Sequence, residues 1–331
     1  MQLELKYDNL TKPEIVWTLT SEQSAAKVKV KTMFPTNTYS LKEAFKKNPD
    51  LKESDLQIIR EWLDKQPHLP KIEDIYLVLF LNSNYYKLEP TKITIENFYT
   101  VRTHVPEFFS NRDPFLKEIR TQFNVISHIP LKKMTNEGYQ IIFGNMIDPE
   151  PSHYVFYEGV KYFFMVAELA NIKEGPTKGL VYIGDVQNLS LGHISRINLM
   201  GIKKFLYFIQ EAAPIRLKQI HILNSTPAME LLMNMCKPFM KKELYEMIHF
   251  STLQSLEKFI PVDALPNEIG GKGGNVKDLV NEQIKLLDEN REWFLKEEIT
   301  MRTNESLRVG KPKSSNDLFG VEGSFKKIEI D

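Results

Sequence analysis

The stretch that decides the fold runs from Gly179 to Leu223: GLVYIGD (179–185), VQNLSLGHISRINLMGIKKFLYFIQEAAP (186–214) and IRLKQIHIL (215–223). Gly179–Asp185 is an apolar run set off by the Gly175-Pro176 turn signal, which predicts a strand. The next 20 or so residues place Ile194, Ile197, Gly201, Phe205, Phe208 and Ala212 at spacings of three and four, the stripe of a helix buried on one face. Arg216–Leu223 then predicts a second strand. Strand, helix and strand at this separation imply parallel strands joined by a crossover helix.

The same pattern extends outward. Tyr139–Phe143 is a short apolar run behind Gly138 and predicts another strand. Residues 153–171 predict a long helix carrying Tyr154, Phe156, Tyr157, Tyr162, Phe163 and Phe164. A helix apolar on every side is buried, either as plain core or as the wall of a ligand cavity. Residues 139–250 therefore predict an α/β domain. Upstream, residues 40–112 predict an all-helical unit. It opens on the capping box Ser40-Leu-Lys-Glu43, continues through Leu56, Ile59 and Leu63 up to the stops at Pro67 and Pro70, then through Ile72–Ser83 and a segment from about Thr91 to His104. Residues 1–38 lack a clear period and predict a loosely held extension.

Residues 226–247 carry the most information about function. Thr226 suits a helix cap and Pro227 the first helical position. Glu230, Asn234, Lys237 and Lys241 fall on one narrow polar stripe, while Met229, Leu231, Leu232, Met233, Met235 and Cys236 fill the rest. Methionine is flexible and polarizable and suits surfaces that repack around variable apolar partners. Pro238 predicts a kink or hinge. Such a segment reads equally as core or as a lid facing a ligand. Beyond it, the cluster Gly270-Gly271-Lys272-Gly273-Gly274 predicts a domain-ending turn. A charged helix is predicted over about 276–298, and the polar tail from 310 carries Leu318, Phe319, Val321, Phe325 and Ile328, which predict partial docking back on the fold.

Composition narrows the classes. Lys plus Arg and Asp plus Glu are both 43, so the net charge is zero and a globally basic nucleic-acid binder is excluded. The longest apolar run, Ile75–Leu81, is far short of the about 20 residues that span a bilayer. The first 30 residues carry Glu4, Lys6, Asp8, Lys12 and Glu14 and no apolar core of an export signal, and a lone Cys236 cannot form an internal disulfide. A cytoplasmic protein is expected. Enzyme signatures are missing: no G-x-S-x-G elbow, no Gly-Lys-[Ser/Thr] after the Gly cluster, and no H-x-x-x-H pair among the seven histidines. His221 and His249 in predicted strands read as hydrogen-bonded core or edge residues, and Asp185 as a turn residue. Neither an enzyme, a cofactor nor a metal site is expected.

Several ordered motifs resemble the CRAL-TRIO lipid-binding family: Gly179–His193, Pro214–Asn224, Lys237-Pro-Phe239, Ile248-His249 and Leu265-Pro-Asn-Glu-Ile-Gly-Gly271. Residues 54–109, with Gln66-Pro-His-Leu-Pro70 and Arg102-Thr-His-Val-Pro-Glu-Phe-Phe109, resemble the helical partner domain of that family. Asp317–Phe325 is similar to the tail of its α-tocopherol-transfer-protein-like branch. The resemblance implies an α/β sandwich with a mostly parallel sheet floor, a helical wall and a lid helix, preceded by an all-α N-terminal domain. It divides the chain into 1–38, 40–112, 113–275 and a C-terminal helix and tail over 276–331. It implies binding and membrane-to-membrane transfer of a tocopherol-, retinoid- or carotenoid-like molecule, or alternatively lipid sensing or phospholipid exchange. Carried over by position, the wall comprises Phe163, Val166, Ile197, Phe205, Phe208 and Ile209. The floor comprises Leu180, Tyr182, Leu217 and Ile220, and the lid, hinged near Asn224 and Pro238, turns Leu232, Met233, Cys236 and Met240 inward.

The expected partners are thus a small hydrophobic molecule, membranes touched transiently and, through the termini, a protein partner; nucleic acid is not expected. Arg216, Lys218, Lys241 and Lys242 are the expected contacts to anionic lipid, each worth about 1 kcal/mol near such a surface. Where tocopherol-transfer members carry a basic headgroup set, this chain has Asn84, Arg216, Glu243 and Met247. Gly184 replaces a bulky apolar residue and Val166 a hydroxyl.

Overall fold

The structure is a computed structural model that describes residues 34–35 and 38–320. The expected extension over 1–38 therefore falls almost wholly outside the described residues, as do Val321, Phe325 and Ile328. Five strands form one sheet in the order β1 (Ile126–Pro130), β2 (Gln140–Met146), β3 (Leu180–Asp185), β4 (Leu217–Leu223) and β5 (Ile248–Phe250). The β2–β3, β3–β4 and β4–β5 pairs are parallel, as the strand–helix–strand spacing predicted. β1 is an antiparallel edge strand that the sequence reading missed, with His128 opposite Gly144. It carries Pro130, which an edge strand tolerates at its end because no ladder donor is needed there.

Helices precede and cover the sheet. The N-terminal group is α1 (Leu41–Lys47), α2 (Glu53–Leu63), α3 (Asp74–Ser83), α4 (Leu88–His104), α5 (Pro106–Phe109) and α6 (Lys117–Gln122). The Ser40–Glu43 capping box forms as expected. α7 (Phe156–Glu174), α8 (Leu191–Ile194), α9 (Leu199–Tyr207), α10 (Pro227–Cys236), α11 (Lys242–Glu246), α12 (Leu253–Leu256), α13 (Val276–Glu289), α14 (Arg291–Thr300) and α15 (Ser315–Phe319) follow. The strand period of two separates the sheet's faces. Val181 and Ile183 of β3 join Ile141, Phe143, Leu223, Leu256, Leu279 and Val280 in a back-face core closed by α12 and α13. Leu180, Tyr182 and Gly184 point to the front, toward α7 and α9.

Two predicted helices are broken. The crossover helix divides into α8, α9 and a π-turn over Phe208–Ala212, because Asn198 restarts the helix by accepting from the Gly201 amide at 3.0 Å. The helix over 276–298 breaks at Asn290, whose side-chain amide bonds the Leu286 carbonyl at 2.7 Å.

A buried ionic cluster joins the helical layer to the C-terminal segment. Glu168 of α7 receives Arg102 and Arg112 at 2.8 Å each, and Glu297 of α14 pairs with the same two guanidiniums. Both arginine side chains are fully buried and stack near Phe109. The described tail docks as expected: Phe319 is buried against the Tyr207 ring at 5.3 Å, and Lys203 donates to the Phe319 carbonyl at 2.9 Å.

Candidate functional site: an apolar cavity beneath a methionine-rich helix

Between the front of the sheet, α7, α9 and α10 lies a partly enclosed cavity of about 340 Å³. Its floor follows from strand register. Gly144 pairs with Gly184, and Gly184 with Ile222, so two neighbouring strands present no side chain at one level of the front face. The Tyr182 ring leans into that gap: a Cβ on Gly144 would lie 2.2 Å from the Tyr182 hydroxyl oxygen. At Gly184 a Cβ would stand 3.3 Å from Tyr182 Cε1 and 3.7 Å from Ile222 Cδ1. Leu180, Leu217, Ile220 and Ile248 complete the floor.

The wall comes from α7 and the crossover. Phe156, Gly159, Val160 and Phe163 form one stripe of α7 that lines the cavity. The opposite side of α7 packs on the helical layer, with Phe164 stacked on Phe109 at 5.3 Å. That double burial explains why the helix is apolar all round. Ile197, Ile202, Phe205, Leu206 and Ile209 supply the rest of the wall.

α10 closes the top. Thr226 caps it and Pro227 occupies its first turn, as predicted. Leu232, Met233, Cys236 and Met240 line the cavity, whereas Glu230, Asn234, Lys237 and Lys241 are exposed. Its ends are tied by few bonds. Asn224, in the left-handed region at φ 52°, donates to Asp185 Oδ1 at 2.9 Å, and Thr226 donates to the Leu189 carbonyl at 3.1 Å. At the other end Gln210 donates to the Phe239 carbonyl at 3.0 Å and accepts from the Lys241 amide at 2.6 Å. Pro238 sits in a short 3₁₀ turn, Lys237–Phe239.

The structure thus gathers Phe163, Leu180, Tyr182, Ile197, Phe205, Ile209, Leu217, Ile220, Leu232, Met233, Cys236 and Met240 around one space. Two expected residues do not line it. The α7 stripe stops at Phe163, and Val166, one turn on, is fully buried in the core. Phe208 faces the helical layer, with ring centroids 4.8 Å from Phe109 and Phe164 and 5.9 Å from Phe98. Sequence reading overlooked His128, Gly144 and Ile126; the Ile126/His128 alternation in ISHIP was the available signal.

Among the described residues the lining contains neither lysine nor arginine. Its one carboxylate among those residues, Asp185, also accepts from the Gln187 amide at 3.1 Å, as expected of a turn residue. Burial pushes the His128 imidazole down to about 3, so it is neutral, and its Nδ1 has no partner among the described residues. Burial likewise lifts the Tyr182 and Tyr154 hydroxyls well above their usual range and the Cys236 thiol up to about 11. Cys236 therefore acts as a small apolar side chain, since the thiolate is the reactive form.

The four expected lipid-contact cations are held differently. Arg216 lies 4.2 Å from the Tyr85 ring centroid and 5.4 Å from that of Tyr86, and it bonds the Asn82 carbonyl. Lys218 donates to the Tyr85 hydroxyl at 2.8 Å. Lys241 pairs with Glu211, and the exposed Lys242 with Glu246 at 3.6 Å. His221 is satisfied as expected, through Ser251 at 2.8 Å and Gln219 at 3.1 Å. Among the described residues no group of three or more His, Cys, Asp or Glu side chains is placed to hold a metal ion.

Sheet, wall and capping helix define an α/β fold built around an internal apolar space. Residues 127–271 match the CRAL/TRIO domain and residues 48–119 match the Pinta-like UBA domain. The chain is 26% identical over 267 residues to the human alpha-tocopherol transfer protein-like protein, covering 77% of this chain and 75% of that one. The mouse protein of the same name is 27% identical over the same span and shares. Mouse clavesin-1 is 23% identical over 234 residues, 68% of this chain and 65% of the relative.

Proposed function

We propose that this chain binds a small hydrophobic molecule of the tocopherol, retinoid or carotenoid kind in the cavity and transfers it between membranes, with α10 as the lid. The observation that carries this reading is the lining: apolar residues from the sheet, α7, the crossover and α10 surround about 340 Å³. That volume lies at the lower end of the range of small-molecule pockets. The name of the first relatives supports transfer as the class of activity. The reading asks for binding, not for chemistry, and assigns no catalytic residue.

The energetics explain why a lid is needed. Burying about fifteen methylenes gains roughly 12 kcal/mol over leaving them in water, so release into water is slow. Opening onto a bilayer removes that barrier. Leu231 on the outer face of α10, Leu191 of α8, and Leu199 and Met200 of α9 are exposed apolar residues, and α10 contacts both α8 and α9. These elements suit a surface that docks on lipid. Among the described residues no helix is long and apolar enough to cross a membrane, which fits contact without insertion of a span.

The test is transfer between vesicles, measured for tocopherol, retinol and a carotenoid. The full chain is expected to accelerate transfer of at least one of them, and Leu232→Glu with Met233→Glu to abolish it. Transfer at the protein-free rate for all three, or an undiminished rate in the double variant, overturns the reading.

A further inference from the structure

His128 and Tyr182 give the cavity a polar corner, and its makeup points to the kind of guest. His128 on β1 faces the front of the sheet opposite Gly144, and Gly144 lies beside Gly184. The Tyr182 hydroxyl stands over Gly144, so it and the His128 ring share the same bare patch of floor. Phe163 binds the corner together: its ring centroid is 5.1 Å from His128 and 5.8 Å from Tyr182. His128 is 4% exposed and its buried Nδ1 has no partner among the described residues, an uncommon and costly state for a polar atom. Had the corner served packing alone, an apolar side chain on β1 would fill it without that penalty.

The rest of the lining sets the charge. Among the described residues no lysine or arginine lines the cavity, and Asp185 is engaged by Asn224 and Gln187. An anionic headgroup inside would have no cationic partner among the described lining residues, which an apolar interior penalises heavily. Neutral imidazole and phenol can each donate or accept a single hydrogen bond.

Resting on the carrier reading above, we infer that the His128–Tyr182 corner over Gly144 and Gly184 is the polar subsite of the cavity. Its guest is an apolar molecule ending in one uncharged oxygen function, an alcohol or a carbonyl. The hydrocarbon body then runs along Phe163 and Phe205 toward the lid.

The test uses the full chain, the apolar fluorophore diphenylhexatriene as reporter, and 1-dodecanol, n-dodecane and dodecanoate as competitors at pH 8. Tyr182→Phe removes one oxygen atom; His128→Leu removes the imidazole. Dodecanol is expected to compete about tenfold less well in either variant, the worth of one neutral hydrogen bond, while dodecane competes as in the wild type. Dodecanoate is expected to compete at least about tenfold less well than dodecanol against the wild type, since its charge finds no counter-ion. Unchanged dodecanol competition in Tyr182→Phe, or equal losses for dodecanol and dodecane, overturns the subsite. Dodecanoate as effective as dodecanol overturns the uncharged class. If diphenylhexatriene fails to bind the wild type at all, the carrier reading itself fails, an outcome separate from those three.

Discussion

Gln210 ties the segment after α10 to the wall, and its removal should show whether α10 moves as a gate. Its side chain donates to the Phe239 carbonyl and accepts from the Lys241 amide, so one residue holds both sides of the 3₁₀ turn at Pro238. Gln210→Leu keeps the bulk and deletes both bonds. A typical net value of about 1 kcal/mol per bond, reduced because the site is half-buried, gives about 1–2 kcal/mol lost from the closed state. That shifts the closed-to-open ratio by about 5- to 30-fold. Stopped-flow transfer of a fluorescent lipophile between vesicles should quicken by a comparable factor where opening limits the rate. Retention of the same guest during gel filtration should fall in step. Asn224→Gly, which keeps the left-handed backbone but deletes the bond to Asp185, should act in the same direction from the other end. Unchanged transfer and retention in both variants would refute a hinged lid held by these clamps.

Three further outcomes are expected. Gly144→Ala should push the Tyr182 ring into the cavity, lowering affinity for an apolar probe about tenfold at a stability cost of about 1–3 kcal/mol, read by probe titration and urea unfolding. Glu297→Ala leaves Arg102 and Arg112 with Glu168 as their shared carboxylate and should cost about 3–5 kcal/mol, read as a fall in the urea midpoint. Glu96 is partly buried, which opposes its ionisation, but hydrogen bonds from His68, Arg308 and Lys313 win and hold its carboxyl down to about 2. A folded-state value below the unfolded value of about 4.3 means the contribution is full above that value. It is then lost as the pH falls toward 2, so Glu96→Gln should flatten the loss of unfolding free energy between pH 5 and 2.

Much of this fold was legible because local pattern and tertiary role agree. Val181 and Ile183 alternate with Tyr182 and Gly184, and that alternation is the division between back-face core and cavity floor. Thr226, Pro227 and the stripe from Glu230 to Lys241 gave both the start of α10 and its outward face. Other features carried no local signal. β1 is a five-residue edge whose partner lies across a turn, and Pro130 reads against a strand. Arg102 and Arg112 look like surface residues in sequence, because only the fold brings Glu168 and Glu297 to them. Val166 and Phe208 were carried over by position from the resemblance, and no local pattern shows that the fold buries Val166 in the core and turns Phe208, in the π-turn, to the helical layer. The empty patch of floor needed strand register, which puts Gly144 beside Gly184 although 40 positions separate them in the chain.

The most direct measurement is organic extraction of the purified full chain after incubation with a total lipid extract, followed by mass spectrometry and an absorption spectrum. One lipophilic molecule recovered at close to one per chain, and lost in the Leu232→Glu, Met233→Glu variant, is the predicted result. Recovery no greater than from a non-binding control protein would contradict an interior built to hold a guest.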